Sequence, residues 1–187
     1  MAQSATVALL SRPMSLPDMA LGNVKAPVTV FEYASMTCPH CAAFEQNVFP
    51  MLRSKYIDTG KLRYVFREFP LDIKAASAAV LARCIANGDT EKFFGALDTM
   101  FKQQDALMEH TKETLLAIGK QGGLDDRGVD GCVGDQSAMD KLSADETFAA
   151  QKLKVDATPT FFINGKMAKG AMSFEEFEAK LKPLLKK

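Results

Sequence analysis

Residues 28–41 read Val28-Thr29-Val30-Phe31-Glu32-Tyr33-Ala34-Ser35-Met36-Thr37-Cys38-Pro39-His40-Cys41. The β-branched and aromatic run Val28–Ala34 lacks clean alternation, which predicts a strand buried on both faces, and Pro27 marks its start. Downstream, Phe44, Val48, Met51 and Leu52 recur at helical spacing. A helix is therefore expected to begin close to Pro39 and to reach about Tyr56, with Pro50 bending it rather than ending it. The two cysteines fall at a strand-to-helix junction.

That junction suits thiol chemistry. A thiolate, not a thiol, attacks a disulfide, so a reactive cysteine needs a lowered pKa. Cys38 is placed at the helix N-terminus, where unpaired amides and the helix dipole stabilise negative charge. Pro39 fits the first helical position because its missing amide hydrogen would be unpaired there anyway. His40 is expected to add positive charge or a hydrogen bond beside the sulfur. The three-residue offset puts Cys41 one turn on, in reach of a small disulfide ring. Cys38 reads as the attacking thiol and Cys41 as the shielded resolving thiol. The competing reading is a zinc half-site, since a two-residue gap also suits metal ligation. Cys84 and Cys132 stand far apart and His110 is alone, so no second half-site is apparent and no metal is expected.

Outward from the junction, Lys61–Phe69 alternates Leu62, Tyr64 and Phe66 against charged positions and reads as a second strand ending at Pro70. From Ile73 to about Lys154 the pattern is helical. Ala75–Asn87 stops at Gly88. Asp89 or Thr90 can cap a helix through Phe93, Phe94, Leu97 and Phe101, whose aromatic stripe is core rather than a cofactor box. Thr111–Lys120 stops at Gly122-Gly123, and shorter helices follow around Arg127–Cys132 and Gln136–Lys152. Pro159–Ile163 is a strand, Asn164-Gly165 a tight hairpin turn, and Ser173-Phe174-Glu175-Glu176 a capping box opening a final helix to about Leu185. Residues 1–24 read as an irregular arm with one short strand near Met19–Leu21. The boundaries expected are 1–24 for the arm, 25–72 with 155–187 for an α/β domain, and 73–154 for an inserted all-helical domain.

Lys+Arg and Asp+Glu both total 23, a balance that gives no broad attraction to nucleic acid or anionic lipid. No apolar run approaches the roughly 20 residues of a membrane span. Met1–Leu10 lacks the basic start and long apolar core of a secretory signal. That leaves a cytosolic protein or one whose signal has been removed; four cysteines, an even number, suit an oxidising compartment and make the exported reading the expectation.

With these residues in view, the chain resembles the bacterial periplasmic DsbA-like disulfide oxidoreductases. The likeness rests on Ala26-Pro27-Val28-Thr29-Val30, Phe31-Glu32-Tyr33, the Cys38-Pro39-His40-Cys41 centre, Phe44-Glu45, the long helical insertion, and Ala157-Thr158-Pro159-Thr160-Phe161. It implies a thioredoxin fold with an inserted all-helical domain, with no cofactor. It also implies a Cys38–Cys41 disulfide donated to reduced, unfolded exported polypeptides through a mixed disulfide on Cys38. A DsbB-type membrane quinone reductase would reoxidise the enzyme, which would act as a monomer in the periplasm. The resemblance further implies a cis Thr158-Pro159 bond facing the centre. Thr158 stands where the best-studied oxidases often carry valine, and it is common among isomerases and reductases, so those activities stay open. The arm is too short for an isomerase dimerisation domain. A further rival is a relative of the kappa-class transferases and chromene-carboxylate isomerases, which share the helical block but lack the paired cysteines.

Glu32, an acid in an apolar strand six residues before Cys38, is expected to exchange protons with Cys41. Its rival reading is a structural carboxylate paired with a lysine. Glu45 reads as a solvated side chain modulating local charge, and His110 as a surface residue. Cys84 and Cys132 are expected, on the resemblance, to form a structural disulfide worth about 3–4 kcal/mol in the loop-entropy model. Two unrelated buried thiols or a regulatory redox pair are the alternatives.

Overall fold

The computed structural model describes residues 2–185. Among these residues five strands form one mixed sheet: β1 (Met19–Leu21), β2 (Val28–Ala34), β3 (Leu62–Glu68), β4 (Thr160–Ile163) and β5 (Lys166–Lys169), in the order β1-β3-β2-β4-β5. Only β2 and β3 run parallel, with Val28 opposite Leu62 and Ala34 opposite Glu68. Parallel neighbours require a crossover. Here it is α2 (Pro39–Asn47), α3 (Phe49–Leu52) and a π-helical turn, Arg53–Ile57. The expected bend falls at Val48, two residues before Pro50: Met51 N and Leu52 N both donate to the Val48 carbonyl at 3.1 Å.

After β3 the chain enters six consecutive helices, α4 (Ile73–Ala86), α5 (Thr90–Lys102), α6 (Gln104–Glu109), α7 (Thr111–Gln121), α8 (Asp126–Val133) and α9 (Gln136–Lys152). Asp72 caps α4 through Ala75 N, Asp89 caps α5 through Lys92 N, and Asn87 ends α4 in the left-handed region. The short α6 has no separate signal in the sequence pattern. A Cβ on Gly119 would lie 2.3 Å from Val129 Cγ2, so this glycine lets α7 and α8 approach closely. Cys84 on α4 is disulfide-bonded to Cys132 on α8.

The chain returns as β4, turns at Asn164-Gly165 with φ of 45° and 84°, and ends in α10 (Phe174–Leu185). Ser173 Oγ accepts from Glu176 N while Glu176 Oε2 accepts from Ser173 N, a reciprocal capping box. On one face of the sheet Phe44 of α2, Phe161 of β4 and Phe177 of α10 make an aromatic cluster, and Phe93 and Phe94 of α5 pack on Phe66.

The expected irregular arm is instead partly helical. Ala2–Leu10 forms α1, which covers the opposite face of the sheet together with the end of α9, through Leu10, Tyr33, Leu153 and Phe162. The Arg67 guanidinium holds it there, donating to the Leu10 carbonyl and to both carboxylate oxygens of Asp18. The segment has no amphipathic period, and isolated helices this short are marginal in water. Docking, not propensity, makes the helix. A second buried fork, Arg83 on both Glu68 oxygens at 2.6 and 2.8 Å, ties α4 to β3. No helix among the described residues is long and apolar enough to cross a membrane.

Candidate active site

The site forms where β2 ends and α2 begins. Residues 35–38 are a buried turn closed by Cys38 N donating to the Ser35 carbonyl at 3.1 Å. Thr37 Oγ1 donates to Asp72 Oδ2 at 2.8 Å, and Leu71 N to Ser35 Oγ at 3.2 Å. On its other side the amide of Gln104 donates to the carbonyls of Met36 and Cys38 at 2.8 and 3.0 Å. Cys38 is the α2 N-cap, in extended conformation with φ −86° and ψ 117°, and Pro39 opens the helix. Ala42 N then donates to the Cys38 carbonyl at 3.1 Å, the first helical hydrogen bond.

Both centre cysteines are free thiols, Cys38 5% and Cys41 0% exposed, while Pro39 and His40 lie at the surface. The Cys38 thiol is lowered to about 5, chiefly by the hydrogen bond from Cys41. The backbone N–H groups of Cys41 and His40 act in the same direction, against the opposing effect of burial. Burial, the hydrogen bond to Cys38 and the Glu32 charge push Cys41 far above the ordinary thiol range. One helical turn thus holds a sulfur that ionises easily and one that does not. The His40 backbone N–H is among the groups that act on the sulfur.

From 120 residues away, the Thr158 carbonyl accepts from Cys38 Sγ at 3.4 Å. The Thr158–Pro159 peptide is cis. Thr158 Oγ1 is buried and has no hydrogen-bond partner among the described residues.

Glu32 is 1% exposed, and burial raises its carboxyl to about 8. Its partner is not a lysine but Tyr64 of β3, whose hydroxyl donates to Oε2 at 2.5 Å. Glu45 is not solvated as expected: it is 4% exposed and burial holds its carboxyl well above the usual range. It lies four residues past Cys41, so the helical repeat turns it to the same inward face, and the packing of α5 against α2 covers it. His110 is exposed. Tyr64, Asp72 and Gln104 escape sequence reading, because nothing local marks a residue whose partner lies 32 to 68 positions away. Among the described residues no group of three or more His, Cys, Asp or Glu is placed to hold a metal ion.

The thioredoxin family model matches residues 15–183, in keeping with a dithiol at a helix N-terminus opposite a cis-proline. The crystal structure of α-DsbA1 from Wolbachia pipientis superposes with a TM-score of 0.85 at 34% identity, covering 99% of this chain and 96% of that one. A Rickettsia felis protein named for protein-disulfide oxidoreductase activity is 42% identical over 150 residues, 79% of this chain. This chain spans about half of that relative's length (53%). Disulfide bond formation protein D of Bacillus subtilis is 26% identical over 96% of this chain and 82% of its own length. The chain belongs to the DsbA-like thiol–disulfide oxidoreductases of the thioredoxin family and has their thioredoxin fold with a helical insertion.

Proposed function

We propose that this protein is a dithiol oxidase: it donates the Cys38–Cys41 disulfide to reduced, unfolded polypeptides exported to the periplasm. The observation that carries the proposal is the contrast between the two sulfurs within one helical turn. Hydrogen bonds that favour the Cys38 thiolate stabilise the reduced enzyme, which makes its disulfide a stronger oxidant. About 1.4 kcal/mol of such stabilisation corresponds to roughly 30 mV for a two-electron couple. An unusually acidic nucleophilic cysteine is already known for DsbA-type enzymes, so the geometry here argues a direction and not a magnitude.

Exchange runs through Cys38. A substrate thiolate attacks Cys38 Sγ of the oxidised enzyme, the Cys38–Cys41 bond breaks, and Cys41 leaves with the electron pair. Glu32, carrying a proton over most of the range below about 8, is the proton donor on the buried side. The mixed disulfide on Cys38 is resolved by the substrate's second thiolate, and Cys38 departs as the stabilised thiolate. Substrate is oxidised and enzyme reduced by two electrons. Pro39 shapes the helix start, Thr158 and Pro159 face the sulfur, and the Cys84–Cys132 disulfide braces the helical insertion. A DsbB-type membrane quinone reductase would accept those electrons from Cys38, with the enzyme acting as a monomer. The names of the Bacillus and Wolbachia relatives support this reading.

Thr158 keeps a reductase or isomerase in view. Incubation with reduced, unfolded ribonuclease and, separately, with scrambled ribonuclease distinguishes them. The oxidase reading expects activity to return from the reduced form. Rescue of the scrambled form alone overturns it.

A further inference from the structure

The loop that carries the nucleophile is gripped by the helical insertion from two sides. Asp72, the cap of α4, accepts from Thr37 Oγ1. Gln104, the first residue of α6, is buried at 8% exposure, and its single side-chain nitrogen reaches two backbone carbonyls, Met36 at 2.8 Å and Cys38 at 3.0 Å. Both hydrogens of that amide are thereby used. Each carbonyl is the negative end of a peptide dipole, and one belongs to the nucleophile itself. Because the two oxygens converge on Gln104, they are aimed at α6, leaving the sulfur to the N–H groups of His40 and Cys41.

We propose that Gln104 is a positioning residue for disulfide exchange: by drawing the Met36 and Cys38 carbonyls onto α6, it makes the helical insertion a determinant of Cys38 reactivity. This rests on the oxidase reading and extends it, since the insertion then acts on the chemistry as well as covering it. Without the amide, the Met36 carbonyl is left unpaired in a buried turn and able to swing toward the sulfur, and the Cys38 carbonyl is held by Ala42 N alone. A negative dipole end nearer the sulfur disfavours the thiolate.

The test compares two side-chain amides that both cross from the helical insertion to the active-site helix region. Gln46 donates to the Phe101 carbonyl at 3.1 Å and touches no loop carbonyl. Gln104→Met keeps length and volume but removes the donor, and Gln46→Met removes a bond of the same kind. In the reduced full chain, the Cys38 thiolate absorbance and the redox equilibrium with glutathione are measured for wild type and both variants. Loss of one hydrogen bond corresponds to roughly tenfold. Gln104→Met is expected to move the titration midpoint up by about one pH unit and the glutathione equilibrium about tenfold toward the disulfide form, about 30 mV. Gln46→Met is expected to move neither.

Should Gln104→Met fail to fold, Gln104→Glu retains the shape and presents an acceptor and a negative charge to the same carbonyls. Its thiolate midpoint is expected to rise at least as far. An unchanged midpoint and unchanged equilibrium in either folded variant, or an equal shift in Gln46→Met, overturns the proposal. An ordinary wild-type thiol midpoint, about 8.5, would instead count against the oxidase reading, so the two failures are distinguishable.

Discussion

The hydroxyl of Tyr64 donates to Glu32 Oε2 at 2.5 Å, and neither residue is more than 1% exposed. The partner is a neutral donor rather than the lysine of a buried ion pair, so among the described residues no positive charge compensates Glu32 at bonding distance. Desolvation then dominates, and the carboxyl rises to about 8 even though the tyrosine bond lowers it.

Removing that donor has a defined sign. Tyr64→Phe deletes the one interaction that favours the carboxylate, so the Glu32 midpoint is expected to climb further above about 8. The carboxyl resonance or its infrared band, followed against pH in the folded protein, reads the shift. A midpoint that falls would contradict this account.

Glu32 also imposes a pH dependence on stability. Its folded-state pKa lies above the unfolded value of about 4.3, so the folded protein holds a proton that the unfolded chain gives up. That contribution is fully present below about pH 4 and is lost as pH rises through about 8. Glu32→Gln is expected to flatten the decline across this window. Denaturant midpoints of both proteins in the oxidised state, where Cys38 does not titrate, measure it.

Cys38 has the opposite sign. Its lowered pKa makes the reduced protein gain stability as pH rises from about 5 toward the ordinary thiol range near 8.5. Because the Cys41 hydrogen bond is the largest cause, Cys41→Ala is expected to raise the thiolate midpoint clearly. Cys41→Ser, which retains a donor, should raise it less. Absorbance at about 240 nm, where thiolates absorb more strongly than thiols, separates the two. Equal midpoints would remove Cys41 from the explanation.

The Arg83–Glu68 fork is a stability determinant of a different kind. Both side chains are largely buried. Arg83→Met leaves the Glu68 carboxylate without its partner between α4 and β3, which typically costs about 3–5 kcal/mol. The variant's urea midpoint is expected to fall accordingly, and loss of less than about 1 kcal/mol would show that solvent reaches Glu68 freely.

Opening the Cys84–Cys132 disulfide by the double change Cys84→Ala, Cys132→Ala is expected to lower stability by about 3–4 kcal/mol, since the bridge closes a long loop in the unfolded chain. Equilibrium unfolding of the oxidised forms checks this. An unchanged midpoint would assign the bridge another role.

Much of this architecture is legible in the chain. Cys38-Pro39 at the end of an apolar run marks a strand passing into a helix. Asn164-Gly165 marks a hairpin, and Ser173 with Glu176 marks a helix start. Each depends on hydrogen bonds and φ preferences spanning a few residues. Glu45 shows where that stops: its charge suggests solvent, yet its burial depends on α5, encoded some fifty residues later. The helical form of Ala2–Leu10 likewise depends on the sheet beneath it and on Arg67, because nothing in its own pattern would hold it.

By itself, then, the sequence determined which sulfur stands at the helix N-terminus, how far away the second lies, and the order of strands, turns and capped helices. All of these are set by neighbours along the chain. Tertiary structure alone decided that Tyr64 would pair with Glu32, that Asp72 and Gln104 would meet the Cys38 loop from distant parts of the sequence, and that Glu45 would lose its water. Those outcomes rest on burial and on partners brought together only when distant elements pack, and a side chain's desolvation has no value until that packing exists.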